Sequence, residues 1–276
     1  MSRIWIMAGV TFGEASRKRL LWMALIAGGA FLALFGTAVH FQVSSFSDRV
    51  PPIVRRQVLS AMLMLGLYAI DLLMVVMTIL VSVDTVSGEI ASGTIQAIAA
   101  KPIRRYELLF GKWLGFASML TLYLLIMAGG LNLLTYSMFG LTARHLPQGL
   151  TLIWMESLLL LSVTLFFGTV FSTLTNGVLA LGLHGLAFLG GWIEQAGALT
   201  HTPKAVDVGI IASILMPSEA LWRRAVFEMQ PPLATALNLS PFSGASVPSP
   251  LMIGYAAVYT LVFLMLAIRQ LDKRDL

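Results

Sequence analysis

Cysteine is absent from all 276 residues, which excludes disulfides, thiolate nucleophiles and cysteine-ligated metal sites. Histidine is scarce as well: His40, His145, His184 and His201 have no ligand spacing, so no metal site is expected. Charge is the third shortage. Charged side chains make up 11% of the chain and hydrophobic ones 58%, with mean hydropathy +0.86. Soluble domains carry about a quarter charged residues, so this composition excludes a water-soluble fold and makes lipid the solvent. Phosphate-binding loops are missing too. Gly111-Lys112 lacks the upstream glycine of a P-loop and is followed by Trp113, so the chain is not expected to hydrolyse nucleotide. No internal repeat, low-complexity linker or nucleophile constellation stands out.

What is present is a series of long uncharged runs. About 20 apolar residues cross roughly 30 Å of hydrocarbon as a helix, and lipid leaves the backbone no other way to satisfy its polar groups within one segment. The runs are Leu20–Phe41, Ala61–Val83, Leu114–Phe139, Leu150–Thr173, Gly177–Ile193 and Leu251–Ile268. The predicted fold is all-α: a single polytopic domain over 1–276 with six transmembrane helices. The fourth and fifth spans form a tight antiparallel pair turning near Thr175 and Asn176. Residues 2–16, with Ile4, Trp5, Met7, Ala8 and Phe12 before Arg17-Lys18-Arg19, read as an amphipathic helix in the interface. Charge precedes a run too long for an h-region, so this start does not read as a cleavable signal peptide. Residues 194–250 form the longest non-spanning stretch, rich in proline. Its run Val206–Met216 is too short to cross, which leaves an external lid, a re-entrant element or a surface helix.

Orientation follows from the basic residues. With both termini inside, 11 of the 18 Lys and Arg face the cytoplasm and 7 face out, and the inner ones lie closer to span ends. Net charge +5 is explained by these span-flanking residues and by anionic lipid, with no need for nucleic acid. The expected location is a bacterial inner (plasma) membrane, multi-pass, with both termini cytoplasmic.

The loop between spans two and three, residues 84–112, carries the most information. Ile90, Thr94, Ile95 and Ile98 share a helical face, and Pro102 restricts Lys101 and ends that helix. Arg104-Arg105-Tyr106-Glu107 opens a second helix into the third span. Gly111 and Gly115 form a GxxxG pair that permits close helix approach. A short rigid helix ended by proline and followed by a basic cluster is suited to being pushed by a cytosolic partner.

The order and spacing of Glu89, Gly93, Thr94, Pro102, Ile103, Arg105, Gly111 and Lys112 resemble the signature loop of type-2 ABC transporter permeases. Arg104 departs from the pattern, standing where many members have Ser. The stretch TFGEASRKRLLW resembles the branch of that family linked to multicopper-enzyme maturation. The resemblance implies a permease subunit, expected to be an exporter and not itself an enzyme. It would pair with a second copy or a paralogue and be driven by a separate ABC ATP-binding subunit that holds ATP and Mg. On that resemblance, Glu89, Gly93, Thr94, Ile95, Ile98, Lys101, Pro102, Arg104 and Arg105 form a coupling helix docking on the ATPase.

Three further residues invite functional readings. Asp71 lies midway along span two, where an acid costs about 2.5–3.5 kcal/mol, so it faces protein or water: a pathway contact or a hydrogen-bonded structural carboxyl. Glu156 reads as an interfacial carboxylate near a span end. His184 reads as an interhelical hydrogen-bonding group. Gly28, Gly29, Gly129, Gly130, Gly190 and Gly191 read as packing points. Rival functions are an ATPase-driven membrane scaffold, an ion-coupled secondary transporter and an intramembrane enzyme. The last two want inverted repeats or paired polar residues within spans, and Asp71 has no evident partner in the sequence. The apolar pathway faces suit a lipid, a hydrophobic small molecule or a lipid-linked chain.

Overall fold

The structure, a computed structural model, describes residues 3–46, 50–92, 104–231 and 246–273, and every regular element among them is a helix. In chain order these are α1 Arg3–Arg17, α2 Arg19–Ser44, α3 Pro52–Ser82, α4 Ser87–Ala91 and α5 Arg105–Phe139. Then come α6 Leu146–Val170, α7 Thr173–Leu199, α8 Pro203–Leu215, α9 Ser218–Met229 and α10 Leu251–Lys273. Six of them, α2, α3, α5, α6, α7 and α10, are long and apolar enough to cross a membrane. Even the shortest, α10 with 23 residues, reaches about 35 Å at 1.5 Å per residue. Six crossings return the chain to the face where it began, called here the terminal face; the other is the distal face.

Helices α3, α5 and α6 form the centre, and α2, α7 and α10 expose most of their apolar surface, as lipid-facing helices do. Helix α6 is apolar on all sides and buried on all sides, with Ile153, Leu159, Leu160, Leu161, Val163 and Leu165 at its core. Side-chain hydrogen bonds tie it to its neighbours: Ser82 with Thr164 at 2.6 Å, Trp113 donating to Ser162 at 3.0 Å, and Trp154 to Thr121 at 2.8 Å. Such bonds between spans contribute about 0.6–2 kcal/mol each.

The helices outrun the hydrophobic runs. Helix α3 starts at Pro52, nine residues before Ala61, because proline pre-sets the first helical turn and lacks only an amide that would be unpaired anyway. Helix α5 starts at Arg105, where the sequence opened a helix into the third span, and α7 continues to Leu199, beyond the predicted limit of Ile193. Thr175 and Asn176, read from sequence as the connection, lie in the first turn of α7 instead. The buried Asn176 amide donates to Val83 O and Thr164 O, each at 3.0 Å, so this polar residue clamps three helices.

The stretch after α7 forms a re-entrant helical hairpin. Helices α8 and α9 meet at a break of 107° at Met216-Pro217. Pro203 follows closely on the distal end of α7, while the Arg144 amide, at the distal end of α6, donates to Met229 O at 3.1 Å. The hairpin therefore enters and leaves on the distal face. Gly190 and Gly197 of α7 lie against Ala212 and Ala205 of α8, so a row of small residues lets the two backbones close up. At the tip, Tyr255 and Tyr259 of α10 donate to Ile214 O and Leu215 O at 2.6 and 2.9 Å. They satisfy helix-end carbonyls that lipid could not.

Helix α1 packs along the terminal-face end of α5 with Ala8, Thr11 and Ala15 buried and Trp5, Ile6 and Val10 exposed. The GxxxG pair is the reason it fits. A Cβ on Gly115 would lie 2.8 Å from both Ala8 O and Thr11 Cβ, and one on Gly111 would strike Met7. Gly28, Gly130, Gly190 and Gly191 also pack closely on side chains of other helices, whereas Gly29 and Gly129 meet open space among the described residues. Gly115→Val is expected to push α1 off α5 and lower stability by about 1–3 kcal/mol. Earlier thermal unfolding in detergent and faster tryptic cleavage at Arg17–Arg19 would show it; wild-type values for both would contradict the packing.

Candidate functional site

Two regions gather the chemistry-bearing side chains. The first is on the terminal face, around the loop between α3 and α5. Gly93, Thr94, Ile95, Ile98, Lys101 and Pro102 lie outside the described residues; Glu89, Arg104 and Arg105, on either side, are described. Glu89 and Arg105, expected from the motif to dock on a partner, make contacts within their own chain. Glu89 on α4 forms an ion pair with Lys112 on α5, and Lys112 is only 4% exposed. The Arg105 guanidinium donates to Leu271 O at 2.6 Å and Asp272 O at 3.1 Å, covering the open carbonyls at the end of α10. Glu107 accepts from the Arg104 amide at 2.9 Å, which starts α5 cleanly and leaves the Arg104 side chain exposed. The two stems of the loop are thus fixed to α5 and to the end of α10, which pack against each other. Beside them a recess of about 430 Å³ is lined by Lys18, Asp84, Glu89 and Lys112 among others.

The second region lies within the membrane and was only partly visible in the sequence. Asp71 of α3, 5% exposed, and Glu156 of α6, 1% exposed, are neighbouring buried carboxyl groups, and Asp71 Oδ1 and both Glu156 oxygens have no hydrogen-bond partner among the described residues. Glu156 is therefore no interfacial carboxylate, and Asp71 does have an acidic neighbour: 85 positions apart in sequence, they meet because α3 and α6 pack side by side. His184 of α7 lies 3.8 Å from Glu156 and shares a 3.0 Å hydrogen bond with Ser218, the first residue of α9. That is an interhelical bond, as its place in the span suggested.

The hairpin brings in a third acid. Glu219 follows Ser218 in the first turn of α9, where the helix dipole favours a carboxylate. It lines a small cavity of about 50 Å³ with Tyr68, Trp222 and Arg223. Arg223 is itself held by Glu194 of α7 at 2.8 Å and Ser213 of α8 at 3.1 Å, and Ser246 donates to Glu194 at 2.5 Å. A polar path thus runs from the distal face along α9 to the mid-membrane pair. Among the described residues no group of His, Cys, Asp and Glu has the geometry of a metal site.

Sequence reasoning missed Glu219, Glu194 and Arg223. The one signal available was Pro217-Ser-Glu, a helix start with proline, a small polar residue and an acid, inside a region otherwise read as loop.

Six helices fit to cross a membrane and a distal re-entrant hairpin define a polytopic all-α membrane protein. The chain belongs to the family described as ABC-2 family transporter protein, which it matches over residues 12–276. It is thereby the membrane permease subunit of an ABC transporter, and the family's members are transport subunits rather than catalytic ones. No curated protein matches the chain.

Proposed function

We propose that this permease is an exporter subunit driven by a separate ABC ATP-binding subunit that docks on residues 89–105. The observation that carries the reading is the bracing of that loop. Glu89–Lys112 fastens one stem to α5, and Arg105 fastens the other to the end of α10. A push on residues 93–104 is thereby delivered to α5 and to the end of α10 instead of being absorbed by a slack connection. ATP and Mg belong to the partner, whose closure favours one helix packing over another by differential affinity. Ile95 and Ile98 supply apolar contact, and Arg104 a polar one.

A second copy of the chain, or a paralogue, completes the pathway. The apolar faces of α2, α7 and α10 are open to that copy and to lipid. Asp71, with Glu156, Glu219 and His184, supplies the polar contacts of the pathway. The terminal face is cytoplasmic and the membrane is a bacterial inner membrane. The stretch from Thr11 to Trp22 favours the multicopper-maturation branch.

Orientation is tested directly, since the native chain has no cysteine to interfere. An impermeant thiol reagent added to intact cells is expected to label Gln148→Cys, on the distal face, and to leave Lys273→Cys untouched. The reverse pattern would overturn the orientation and the docking face with it.

A further inference from the structure

The distal face carries a recess of about 450 Å³ between α3, the connection from α5 to α6, and the end of the hairpin. Its wall is graded. Arg56, Ser60, Leu63 and Met64 line it from α3 at positions i, i+4, i+7 and i+8. They therefore share one helical face over about 12 Å of axis, cationic and polar at the top and apolar below. Opposite stands Arg144, whose backbone is pinned to the hairpin by the bond from its amide to Met229 O at 3.1 Å. Leu141 and Met229 continue the apolar part.

Charge makes the recess selective. No carboxylate lines it among the described residues, and neither Arg56 nor Arg144 has an ion pair there. The nearest acid on the hairpin, Glu228, is already engaged by Arg224 at 2.6 Å and by His145 at 3.6 Å. Two guanidinium groups in a recess that also holds an apolar wall of Leu63, Met64, Leu141 and Met229 present donor arrays suited to a phosphate or carboxylate. The polar neighbours Gln57 and Ser60 extend it.

We propose that this recess binds an anionic amphiphile, with a phosphate or carboxylate headgroup between Arg56 and Arg144 and an acyl chain along Leu63, Met64 and Leu141. The source is either a bilayer lipid with an anionic headgroup or a free single-chain amphiphile. The inference concerns binding to this chain alone and does not depend on the docking of an ATPase.

The test uses the full chain purified in a neutral detergent and studied by native mass spectrometry. Phosphatidylglycerol retained from mixed phosphatidylglycerol–phosphatidylcholine nanodiscs identifies a bilayer source. Binding of added dodecyl phosphate without retained lipid identifies a free amphiphile. In either case Arg56→Gln with Arg144→Gln is expected to weaken binding by about tenfold or more, the order set by losing charge-assisted contacts. The Arg56→Lys, Arg144→Lys pair should recover part of it, and Met64→Asn should weaken dodecyl phosphate but not inorganic phosphate. Equal binding by wild type and the double Gln variant would overturn the arginine cradle. Inorganic phosphate binding as tightly as dodecyl phosphate, or phosphatidylcholine retained equally with phosphatidylglycerol, would overturn the amphiphile.

Discussion

Lys112→Met is expected to abolish stimulation of the ATP-binding subunit and ATP-driven transport, while all six spans still insert. Lys112 is buried in the bundle and its ammonium meets the Glu89 carboxylate, whose second oxygen is buried without a partner. Removing the cation strands a largely buried carboxylate, and breaking one side of such a pair costs about 3–5 kcal/mol. Glu89 keeps 22% of its side chain exposed, so the lower end of that range applies. The strain is relieved most easily by swinging α4 away from α5, which releases the stem of the loop. Replacing both partners, with Glu89→Gln and Lys112→Met together, should recover much of the thermal stability without recovering coupling. ATP turnover and unfolding temperature measured side by side separate the two effects. A Lys112→Met chain with normal coupling would show that the stem pair is not part of the transmission.

The second large effect is expected at the mid-membrane pair. Asp71→Asn and Glu156→Gln preserve shape but remove the option of a charge. Each is expected to lower ATP-driven transport by about tenfold or more, equivalent to about 1.4 kcal/mol, with little change in the amount of inserted protein. Asp71→Leu should be worse, since it leaves Glu156 with no partner on α3, and its loss should not be rescued by Glu156→Leu. A purely structural pair behaves in the opposite way: the double apolar change would be tolerated, because well-packed hydrophobic residues replace buried polar pairs at little cost. Full transport with Asp71→Leu would remove the pair from the pathway.

Much of the fold was legible because lipid imposes one rule on every span. The runs starting at Leu20, Ala61, Leu114, Leu150, Gly177 and Leu251 each mark a crossing helix, as hydropathy demanded, although the fourth run, to Thr173, overshoots the end of α6 at Val170. Helix ends were less visible from hydropathy alone: Pro52 begins a helix in polar sequence where hydropathy has no signal, whereas the start at Arg105 was legible from the break at Pro102. The hairpin was legible only as an alternative: Val206–Met216 was plainly too short to cross, but its return through α9 depends on Trp222 and Met229 packing on α3 and α6. The site divides the same way. Asp71 announces itself as an acid in a span, whereas its pairing with Glu156 depends on the rotation of α3 against α6, which periodicity does not set. Glu89 and Arg105 carry a family motif that marks them as important; that their side chains turn inward to Lys112 and α10 is a property of packing.

The measurement that bears most directly on the central claim is recovery of the ATP-binding subunit with this chain on purification. The wild-type permease is expected to bring down its ATPase in stable proportion. Ile95→Ser with Ile98→Ser is expected to reduce that recovery by about tenfold or more, since two apolar anchors of a small docking contact each contribute more than about 1 kcal/mol. Insertion and unfolding temperature should stay at wild-type values, because the change lies in the loop and leaves every span intact. Undiminished recovery with coupled ATP turnover in the double variant, or a wild-type chain that recovers no ATP-binding subunit at all, would contradict the account.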